Sequence, residues 1–462
     1  MMMLREAAQA VQGELVGEDS LFTSVSSDSR VPCTGALFVA LRGAHFDGNE
    51  FVAQAHKQGA VGALVDVKPG PENTLPYIKV ADTTAALGQL AQYWRAKIPA
   101  LRIAVTGSCG KTSVKGMLAE IFRGAGATQA TQGNLNNHIG VPLTLLALAH
   151  TTEYAIIEAG TSNPGEIAYL ADLIQPDIAL LNNVHAAHLQ GFGSLDAIAA
   201  EKSALYRPIS NHKPTRIINT DLLIYDCVRD LLKETQTCVL FTPQASDYSA
   251  PLNPEQGHVY AEQVRVFADS VNFILCCGSE RTSIALSVPG THQVDNALAA
   301  AACARAAGLP FSAIAQGLAA FSGVSGRMQR FRYGDANIID DSYNANPGSM
   351  RAAIDYLRLQ KNSILVLGDM GELGAYAEQA HRDVGRYAAE AGIHSLYVIG
   401  QYAALYAHAF GENARVFDDI GTLVDALKQQ LRQMSATVLI KGSRSSRMDR
   451  VCQSLKVTEE HV

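Results

Sequence analysis

A short segment in the first quarter of the chain restricts the possible folds more than any other: LRIAVTGSCGKTSV, residues 101–114. It begins with an apolar run that has the length and composition of a buried strand, and it continues into a glycine-containing loop. The residues after the loop place apolar side chains on one helical face, at Val114, Met117, Leu118, Ile121 and Phe122. Strand, glycine loop and helix in this order predict an α/β domain with a parallel sheet.

The loop also has the chemistry of a phosphate site. Gly107 and Gly110 allow backbone N–H groups to approach phosphate oxygens, Lys111 supplies positive charge, and Thr112 can ligate Mg²⁺. The common spacing G-x-x-x-x-G-K-[ST] would require glycine where Val105 stands. On its own, therefore, the loop also fits a tight strand-to-helix turn that binds nothing.

Length, charge and cysteine usage limit the function classes. A chain of 462 residues allows roughly three domains. The net charge is −7 and acidic residues are spread along the chain, which argues against a nucleic-acid partner because phosphate backbones require clustered Lys and Arg. No apolar run approaches about 18 residues, and the first thirty residues contain acids, so we expect a soluble, cytoplasmic protein without membrane insertion. The eight cysteines lack zinc or disulfide spacing, and we expect reduced thiols.

Apolar patterning divides the first two thirds of the chain into two domains. Residues 1–82 are predicted to form a small α/β domain, since ALFVAL, GALVDV and YIKV alternate with polar stretches. The stretch AALGQLAQYWRAKIP then predicts a connecting helix that ends before Pro99. Residues 83–325 are predicted to form a central, P-loop-type, doubly wound domain, because the runs LRIAVTG, YAIIEAG, DIALLNNV and TRIINTD alternate with helical stretches.

Within that central domain, residues 258–288 alternate between apolar and polar and indicate an antiparallel addition, before an alanine-rich helix near 292–307. The strand-and-helix pattern then restarts. Residues 326–462 are predicted to form a Rossmann-like α/β domain with the strand candidates NIIDDSY, SILVLGDM, SLYVIG, ARVF and TVLIKGS. The predicted fold class is therefore α/β with three domains.

Polar residues at strand ends of the central domain are candidates for a site beside the loop. Glu158 ends the strand YAIIEAG and is either a Mg²⁺ ligand or a solvated acid. His185 and His188 follow DIALLNNV and are either structural residues or ligands. Lys202, in the helical stretch AIAAEKSALY, would by default be a solvated surface lysine.

Taken together, these residues resemble the Mur ligase family, the ATP-dependent amide-forming enzymes of peptidoglycan synthesis. The family's loop, T-G-[ST]-x-G-K-[TS], accommodates Val105 and matches TGSCGKTS. The resemblance covers nearly the whole chain. DSRVPCTGALFVALRGAHFDGNEF resembles the UDP-sugar-binding amino-terminal domain, GNLNNHIGVPLTLL and IEAGTSNPGEI resemble central motifs, and DDSYNANPGSM, LGDMGELG and VLIKGSRSSRM resemble the carboxy-terminal domain.

The resemblance implies residue roles in nucleotide and metal binding. ATP would bind the loop through Gly107, Ser108, Cys109, Gly110, Lys111, Thr112 and Ser113. Thr112 and Glu158 would hold one Mg²⁺, and His188 with a carbamylated Lys202 would hold a second. The implied catalytic residues are Lys111, Glu158, His188 and Lys202. Asn296 would contact adenine, Arg327 a phosphate and Asp341 the ribose; Gln293 stands where the family usually has asparagine.

The same resemblance implies where the other substrates bind. Ser29, Arg30, Arg42, Asp47 and Gly48 would bind the UDP group, although DSR and DG turns are also common surface features. Lys441, Ser443 and Arg444 would bind the carboxylate of a dipeptide or, alternatively, lie on a domain face without binding anything.

Within the family, DSYNANP together with GDMGELG is similar to the member that joins D-alanyl-D-alanine to UDP-N-acetylmuramoyl-tripeptide. Such an enzyme transfers the γ-phosphoryl group of ATP to a substrate carboxylate and lets an amine attack the acyl phosphate. We expect it to act as a monomer. The alternatives are another Mur ligase, a folylpolyglutamate synthase-like ligase, which would lack the amino-terminal DSR…LFVALRG…DG pattern, and a non-catalytic UDP-muramoyl-peptide binding protein, which would not need an intact loop.

Overall fold

Three β-sheets, of five, nine and six strands, organise the chain, together with a two-stranded ribbon at its start. The computed structural model describes residues 1–43, 46–71, 73–185, 189–209, 212–233, 237–244, 246, 257–267 and 269–456. Each large sheet belongs to its own stretch of sequence, and the predicted class of a three-domain α/β protein is confirmed.

The amino-terminal domain is built on the five-stranded sheet, in the order β2-β7-β6-β5-β4, with only β2 antiparallel to its neighbour. Its elements are β1 (Met2–Met3), α1 (Leu4–Ala10), β2 (Glu14–Val16), β3 (Leu21–Phe22), β4 (Ser24–Ser26), β5 (Ala36–Val39), α2 (Val52–Lys57), β6 (Gly62–Val65) and β7 (Tyr77–Lys79). The three predicted apolar runs become β5, β6 and β7. The strands β2 and β4 were not predicted, because they are short, largely exposed or half-buried, and carry no apolar run.

The central domain begins with the predicted connecting helix, which Asp82 caps by accepting hydrogen bonds from Thr84 N and Ala85 N. Its first elements are α3 (Thr83–Arg95), β8 (Leu101–Thr106), α4 (Lys111–Arg123), β9 (Thr128–Ala130), α5 (Gly140–Leu146), β10 (Tyr154–Glu158), α6 (Glu166–Ile174), β11 (Ile178–Leu181), α7 (Leu189–Phe192) and α8 (Leu195–Ser203). The remaining ones are β12 (Thr215–Asn219), α9 (Asp226–Arg229), β13 (Cys238–Phe241), β14 (Gly257–Val266), β15 (Val271–Cys277), β16 (Glu280–Leu286), α10 (His292–Ala306) and α11 (Phe311–Ala320).

The nine-stranded sheet has the order β16-β15-β14-β13-β12-β11-β8-β10-β9. The seven strands from β8 to β14 are all parallel to one another. Strands β15 and β16 extend the sheet as an antiparallel meander, as the alternation over residues 258–288 predicted. Strand β8 lies between β10 and β11, so the glycine loop emerges where three parallel strands end. Glu158 pairs in register with Val105, which places this acid at the same edge as the loop.

The carboxy-terminal domain contains the five predicted strands and one more. Its elements are β17 (Gln329–Tyr333), β18 (Ala336–Asp341), α12 (Pro347–Leu357), β19 (Ser363–Leu367), α13 (Ala377–Glu390), β20 (Ser395–Ile399), α14 (Ala403–Phe410), β21 (Ala414–Phe417), α15 (Ile420–Leu431), β22 (Thr437–Lys441) and α16 (Asp449–Lys456). The sheet order is β17-β18-β22-β19-β20-β21, and the unpredicted β17 is its antiparallel edge.

The amino-terminal and central domains share one hydrophobic core, which extends from Leu4 and Leu64 through Trp94 of α3 to Val141 and Ile167. Thr83 Oγ1 donates to Ala40 O at 2.9 Å, and Trp94 Nε1 donates to Leu148 O at 2.9 Å, so α3 is bonded to both domains. A second apolar cluster covers the other face of the nine-stranded sheet. Among the described residues, the helices are too short or too polar to cross a bilayer.

Candidate active site

The glycine loop turns sharply into α4 because Gly110 adopts a left-handed conformation, with φ of 77°. A Cβ atom at this position would lie 2.2 Å from Asn296 Oδ1 and 2.6 Å from Asn182 Nδ2. Both the backbone angle and the close approach therefore require glycine. The loop presents the N-terminus of a 13-residue helix, whose free N–H groups and dipole favour an anion.

Two asparagines that follow β11 hold the loop in place. Asn183 accepts from Ser108 N through its backbone oxygen, at 3.0 Å, and from Cys109 N through its side chain, at 2.8 Å. Asn182 Nδ2 donates to Cys109 O at 3.1 Å. Sequence reasoning missed both residues, although the pair Asn-Asn at the end of the apolar run DIALLNNV was a signal for polar contacts at the sheet edge.

Lys111, the first residue of α4, folds back over the loop, and its Nζ donates to Gly107 O at 2.6 Å. Burial lowers the pKa of the Lys111 ammonium, and the negative charge of Glu158 opposes this shift. The ammonium group of Lys111 therefore lies at the phosphate loop, close to Glu158, the predicted acidic metal ligand.

Glu158 is almost fully buried, with 2% of its surface exposed. Its carboxylate accepts from Asn136 Nδ2 at 2.8 Å and lies 3.2 Å from Lys115 Nζ. Burial raises the pKa of this carboxyl, but Lys115, Lys111 and the Asn136 hydrogen bond together outweigh burial and keep the pKa below its usual value. Glu158 is therefore an anion at neutral pH, and the interpretation of a solvated strand-end acid is wrong.

Lys202 lies on α8 with 1% of its surface exposed, so the default interpretation of a surface lysine is wrong as well. Within the described part of the chain, its Nζ has no hydrogen-bond partner. Burial and then the charge of Lys111 lower the pKa of Lys202 to about 7. The predicted neighbour His188 falls outside the described residues. The histidine that does fall within them, His185, exchanges backbone hydrogen bonds with Ser108 Oγ at 3.0 and 3.1 Å.

The carboxy-terminal domain reaches the loop through two contacts. Arg327 Nη2 donates to Thr112 Oγ1 at 2.9 Å, and its guanidinium lies 4.5 Å from the centre of the Tyr343 ring. Asn346, the N-cap of α12, donates from Nδ2 to Cys109 Sγ at 3.2 Å. Residues of two domains thus enclose the loop.

Asp341 and Lys441 form a buried ion pair at the ends of the neighbouring strands β18 and β22. Lys441 Nζ lies 2.6 Å from Asp341 Oδ2 and donates to Asn344 O at 2.9 Å, and Lys441 is only 3% exposed. Lys441, predicted for the dipeptide, therefore lies beside Asp341, predicted for the ribose.

A cleft of about 410 Å³ lies between the loop, the start of α10 and the carboxy-terminal domain. The predicted residues that line it are Ser108, Cys109, Gly110, Lys111, Ser113, Asn296, Arg327, Asp341 and Lys441. His292, Asp295 and Tyr343 also line it and were not predicted. Among the described residues, no group of three or more His, Cys, Asp or Glu side chains is arranged to hold a metal ion.

Two predicted dipeptide residues lie away from the lining of this cleft. Ser443 is 3% exposed, and its N–H donates to Asp369 O at 2.8 Å. This contact joins the segment that follows β22 to the GDMGELG loop. Arg444 is exposed and lies 3.5 Å from Asp449.

The predicted UDP residues lie in the amino-terminal domain. Arg42 Nε is 3.0 Å from Asp66 Oδ2, and Arg42 Nη2 is 3.5 Å from Asp47 Oδ2. Gly48 is buried, and a Cβ atom at this position would lie 2.5 Å from Leu41 O, so the position cannot accommodate a side chain. Arg30 is exposed and pairs with Asp28 at 2.7 Å, next to the buried Ser29. The guanidinium holds the pKa of Asp28 at about 2.

Comparisons with known proteins match the chain along most of its length. Three family models fit: "Mur ligase family, catalytic domain" over residues 21–95, "Mur ligase middle domain" over 105–304, and "Mur ligase, glutamate ligase domain" over 326–444. The UDP-N-acetylmuramoyl-tripeptide--D-alanyl-D-alanine ligase of Escherichia coli (strain K12) is 39% identical over 460 residues, with 98% of each chain covered. The ligase of the same name from Buchnera aphidicola subsp. Acyrthosiphon pisum (strain APS) is 36% identical over 455 residues, covering 98% of this chain and 97% of the relative. Crystal structure I of MurF from Acinetobacter baumannii aligns with a TM-score of 0.87 at 33% identity, covering 98% of both chains.

A phosphate loop at the carboxyl edge of a parallel sheet, enclosed by a second α/β domain, together with ligase relatives along its full length, makes this chain an ATP-dependent ligase. More narrowly, the chain belongs to the Mur ligase family.

Proposed function

We propose that this chain joins D-alanyl-D-alanine to UDP-N-acetylmuramoyl-tripeptide at the expense of ATP, in the last cytoplasmic step of peptidoglycan precursor synthesis. The observation that carries the proposal is the cleft that the phosphate loop shares with the carboxy-terminal domain. The relatives' names agree with this assignment. The alternative of a folylpolyglutamate synthase-like ligase is less favourable, because residues 21–95 match a Mur ligase domain that includes the DSR and DG segments.

The described residues suit a two-step reaction. A carboxylate oxygen of the tripeptide attacks the γ-phosphorus and ADP leaves, which yields an acyl phosphate. The amine of D-alanyl-D-alanine then attacks the acyl carbon, phosphate leaves, and the nitrogen loses a proton to form the amide. Lys111, Arg327 and the N-terminus of α4 would neutralise the phosphates and hold them in line for attack. A non-catalytic binding protein would not need these cations around an intact loop.

The residues present also fit Mg²⁺, since a buried anionic carboxylate and a hydroxyl lie at the loop and a buried Lys202 Nζ lacks a partner among the described residues. We propose that Thr112, Glu158, Lys202 and His188 hold the metal ions, which when bound would screen the charge of the phosphates.

Lys202 is proposed to carry a carbamate. Burial lowers the pKa of Lys202 to about 7, so a substantial fraction of this amine is neutral near neutral pH, and a neutral amine is the form that reacts with carbon dioxide. The amine nitrogen bonds to the carbon of CO₂ and loses one proton, which converts the amine into an anionic oxygen ligand. Oxygen is the donor that a hard cation prefers.

We also propose that one copy of the chain suffices, because the proposed site residues come from the three domains of a single chain. All eight cysteines are unbridged, which fits a reducing cytoplasm. The test of the function is phosphate release from ATP, measured with UDP-N-acetylmuramoyl-tripeptide and D-alanyl-D-alanine together and with each alone. Release that requires both substrates, with the pentapeptide product identified by mass, is the expected result. Release with a folate and glutamate instead would overturn the assignment.

A further inference from the structure

The cleft contains an acidic residue to which neither the loop chemistry nor the metal site assigns a task. Asp295, in the first turn of α10, lines the cleft beside Asn296. Its Oδ1 accepts from Gln244 N at 2.8 Å. Its Oδ2 has no hydrogen-bond partner among the described residues, so this carboxylate keeps a free acceptor at the wall of the cleft.

The position of Asp295 in the sheet indicates which part of a nucleotide it meets. Gln244 follows β13, and β13 is separated from β8 by β12 and β11 in the sheet order. Three strand spacings place the end of β13 roughly 14 Å from the phosphate loop that follows β8. The base is the end of a nucleoside triphosphate farthest from its γ-phosphate. A nucleotide whose outer phosphates bind the loop can therefore extend its base toward Asp295.

The neighbouring Asn296 also lines the cleft, and each of its amide atoms already makes one hydrogen bond inside the protein. Its Oδ1 accepts from Asn182 Nδ2 at 3.1 Å, and its Nδ2 donates to Gln293 Oε1 at 3.2 Å. These bonds fix Asn296 against Gly110, at the phosphate end of the cleft. The carboxylate of Asp295, also on α10, adds a free acceptor to the cleft lining near Gln244.

We infer that Asp295 selects adenine by accepting a hydrogen bond from the exocyclic 6-amino group of the base. The inference rests on the proposed use of ATP. A carboxylate is an acceptor only, so it suits the amino group of adenine and repels the 6-oxo group of hypoxanthine or guanine, which is also an acceptor. Burial raises the pKa of Asp295 to about 6, with the Gln244 hydrogen bond opposing this shift, and the group is ionised at the mildly alkaline pH of the assay below.

The test compares ATP with ITP, which carries a 6-oxo group and an N1–H where ATP carries a 6-amino group and an unprotonated N1, in the full ligation assay at pH 8. The variants are Asp295→Asn and Asp295→Ala, and Asp221→Asn is the matched control, since Asp221 lies near Asp295 but does not line the cleft. We expect the ratio of kcat/KM for ATP over ITP to fall at least ten-fold in Asp295→Asn, because an amide can donate to the oxo group. In Asp295→Ala only the ATP value should fall, and in Asp221→Asn the ratio should stay as in the wild type.

A ratio that is unchanged in both Asp295 variants would overturn the inference while leaving the proposed ligase reaction intact, since ATP turnover by the wild type is measured in the same experiment. If neither variant folds, the wild-type protein still decides the question through purine riboside triphosphate, which lacks the 6-amino group. A loss of kcat/KM of ten-fold or more against ATP supports the inference, and equal use of the two nucleotides contradicts it.

Discussion

Arg327 of the carboxy-terminal domain donates a 2.9 Å hydrogen bond to the hydroxyl of Thr112, which lies 215 positions earlier in the chain. The contact places a guanidinium of the carboxy-terminal domain at the phosphate loop. The same side chain packs on Tyr343 at 4.5 Å, which fixes its orientation. The charge that the carboxy-terminal domain contributes to the loop therefore comes from a positioned side chain.

Replacing Arg327 with alanine is expected to lower kcat/KM for ATP by about 100-fold, because it removes a preorganised cation that is proposed to neutralise the transferred phosphoryl group. Arg327→Lys should restore only part of the activity, since an ammonium lacks the planar fork of donors. Steady-state phosphate release measures both. Arg332→Ala, which removes an exposed arginine from β17, is the control. Wild-type turnover in Arg327→Ala would show that this arginine does not act on the phosphates.

Gly110→Ala is expected to abolish ligation, because the added Cβ would collide with Asn296 and Asn182 and displace the loop. Gly165 provides a matched control: it is also the left-handed N-cap of a helix, with φ of 88° against 77° for Gly110, but its Cβ would meet nothing within 4 Å. Gly165→Ala should therefore cost only the backbone strain, about 1 kcal/mol, and keep most of the activity. Thermal melts and ligation rates of both variants test this, and equal activity losses would contradict the steric argument.

Lys202→Ala should be nearly inactive, since it removes the proposed anionic ligand from the metal site. Added formate or acetate should restore part of the ligation rate, because a small acid can occupy the space that the side chain leaves. The same salts should have no effect on Lys111→Ala, whose missing group is a cation. Full activity in Lys202→Ala would exclude the carbamate, and inactivity without rescue would favour a role for the plain ammonium.

The pH dependence of stability provides a second test of the Lys202 environment, in buffer free of carbon dioxide. Its pKa is about 7 in the folded chain, and an unfolded lysine has a pKa of about 10.4. Between these values the unfolded chain binds a proton that the folded chain does not, so the wild-type free energy of unfolding rises with pH relative to Lys202→Met, by up to about 1.4 kcal/mol per pH unit. Below about pH 7 the free energy of unfolding of Lys202→Met should exceed that of the wild type by the largest amount. Denaturant titrations in which the free energies of unfolding of the two proteins change with pH in parallel would contradict the low pKa.

Arg42→Ala is expected to weaken binding of the UDP-linked substrate about ten-fold and to leave binding of a non-hydrolysable ATP analogue unchanged. The reason is that Arg42 lies in the proposed UDP site, where Asp66 and Asp47 hold its guanidinium. Calorimetry with each ligand separates the two effects. Arg5→Ala, which removes another exposed arginine of the same domain, is the control. Loss of ATP-analogue affinity in Arg42→Ala would place the residue in a different role.

Sequence reasoning succeeded where the signal is local. The apolar runs that became β8, β10, β11 and β12 are continuous, as is typical of strands buried on both faces of a parallel sheet. Strand β17 was missed because its sequence, QRFRY, alternates with arginines at the exposed edge of the sheet. The helix α4 was predicted from its apolar face, but the pattern gave no reason to expect Lys115 to be buried.

The site was less predictable because its contacts join distant parts of the chain. Lys115 is buried since it pairs with Glu158, and the two meet only when β10 lies beside β8. Asn183 reaches Cys109 across 74 positions. Lys441 reaches Asp341 across 100 positions. Residue type and spacing cannot predict such pairs, because they depend on the order of strands in the sheets.

The hydrophobic core that the amino-terminal and central domains share determines how the chain melts. Side chains between Met2 and Leu240 contribute to this one cluster, so neither domain can lose this shared packing without exposing apolar surface of the other. The two apolar clusters of the carboxy-terminal sheet, in contrast, contain only residues from Met328 to Leu455. On heating, the amino-terminal and central domains should therefore unfold together as one cooperative unit, and the carboxy-terminal domain should unfold as a second. A destabilising substitution in the amino-terminal sheet should then also lower the temperature at which the central domain, with its phosphate loop, unfolds.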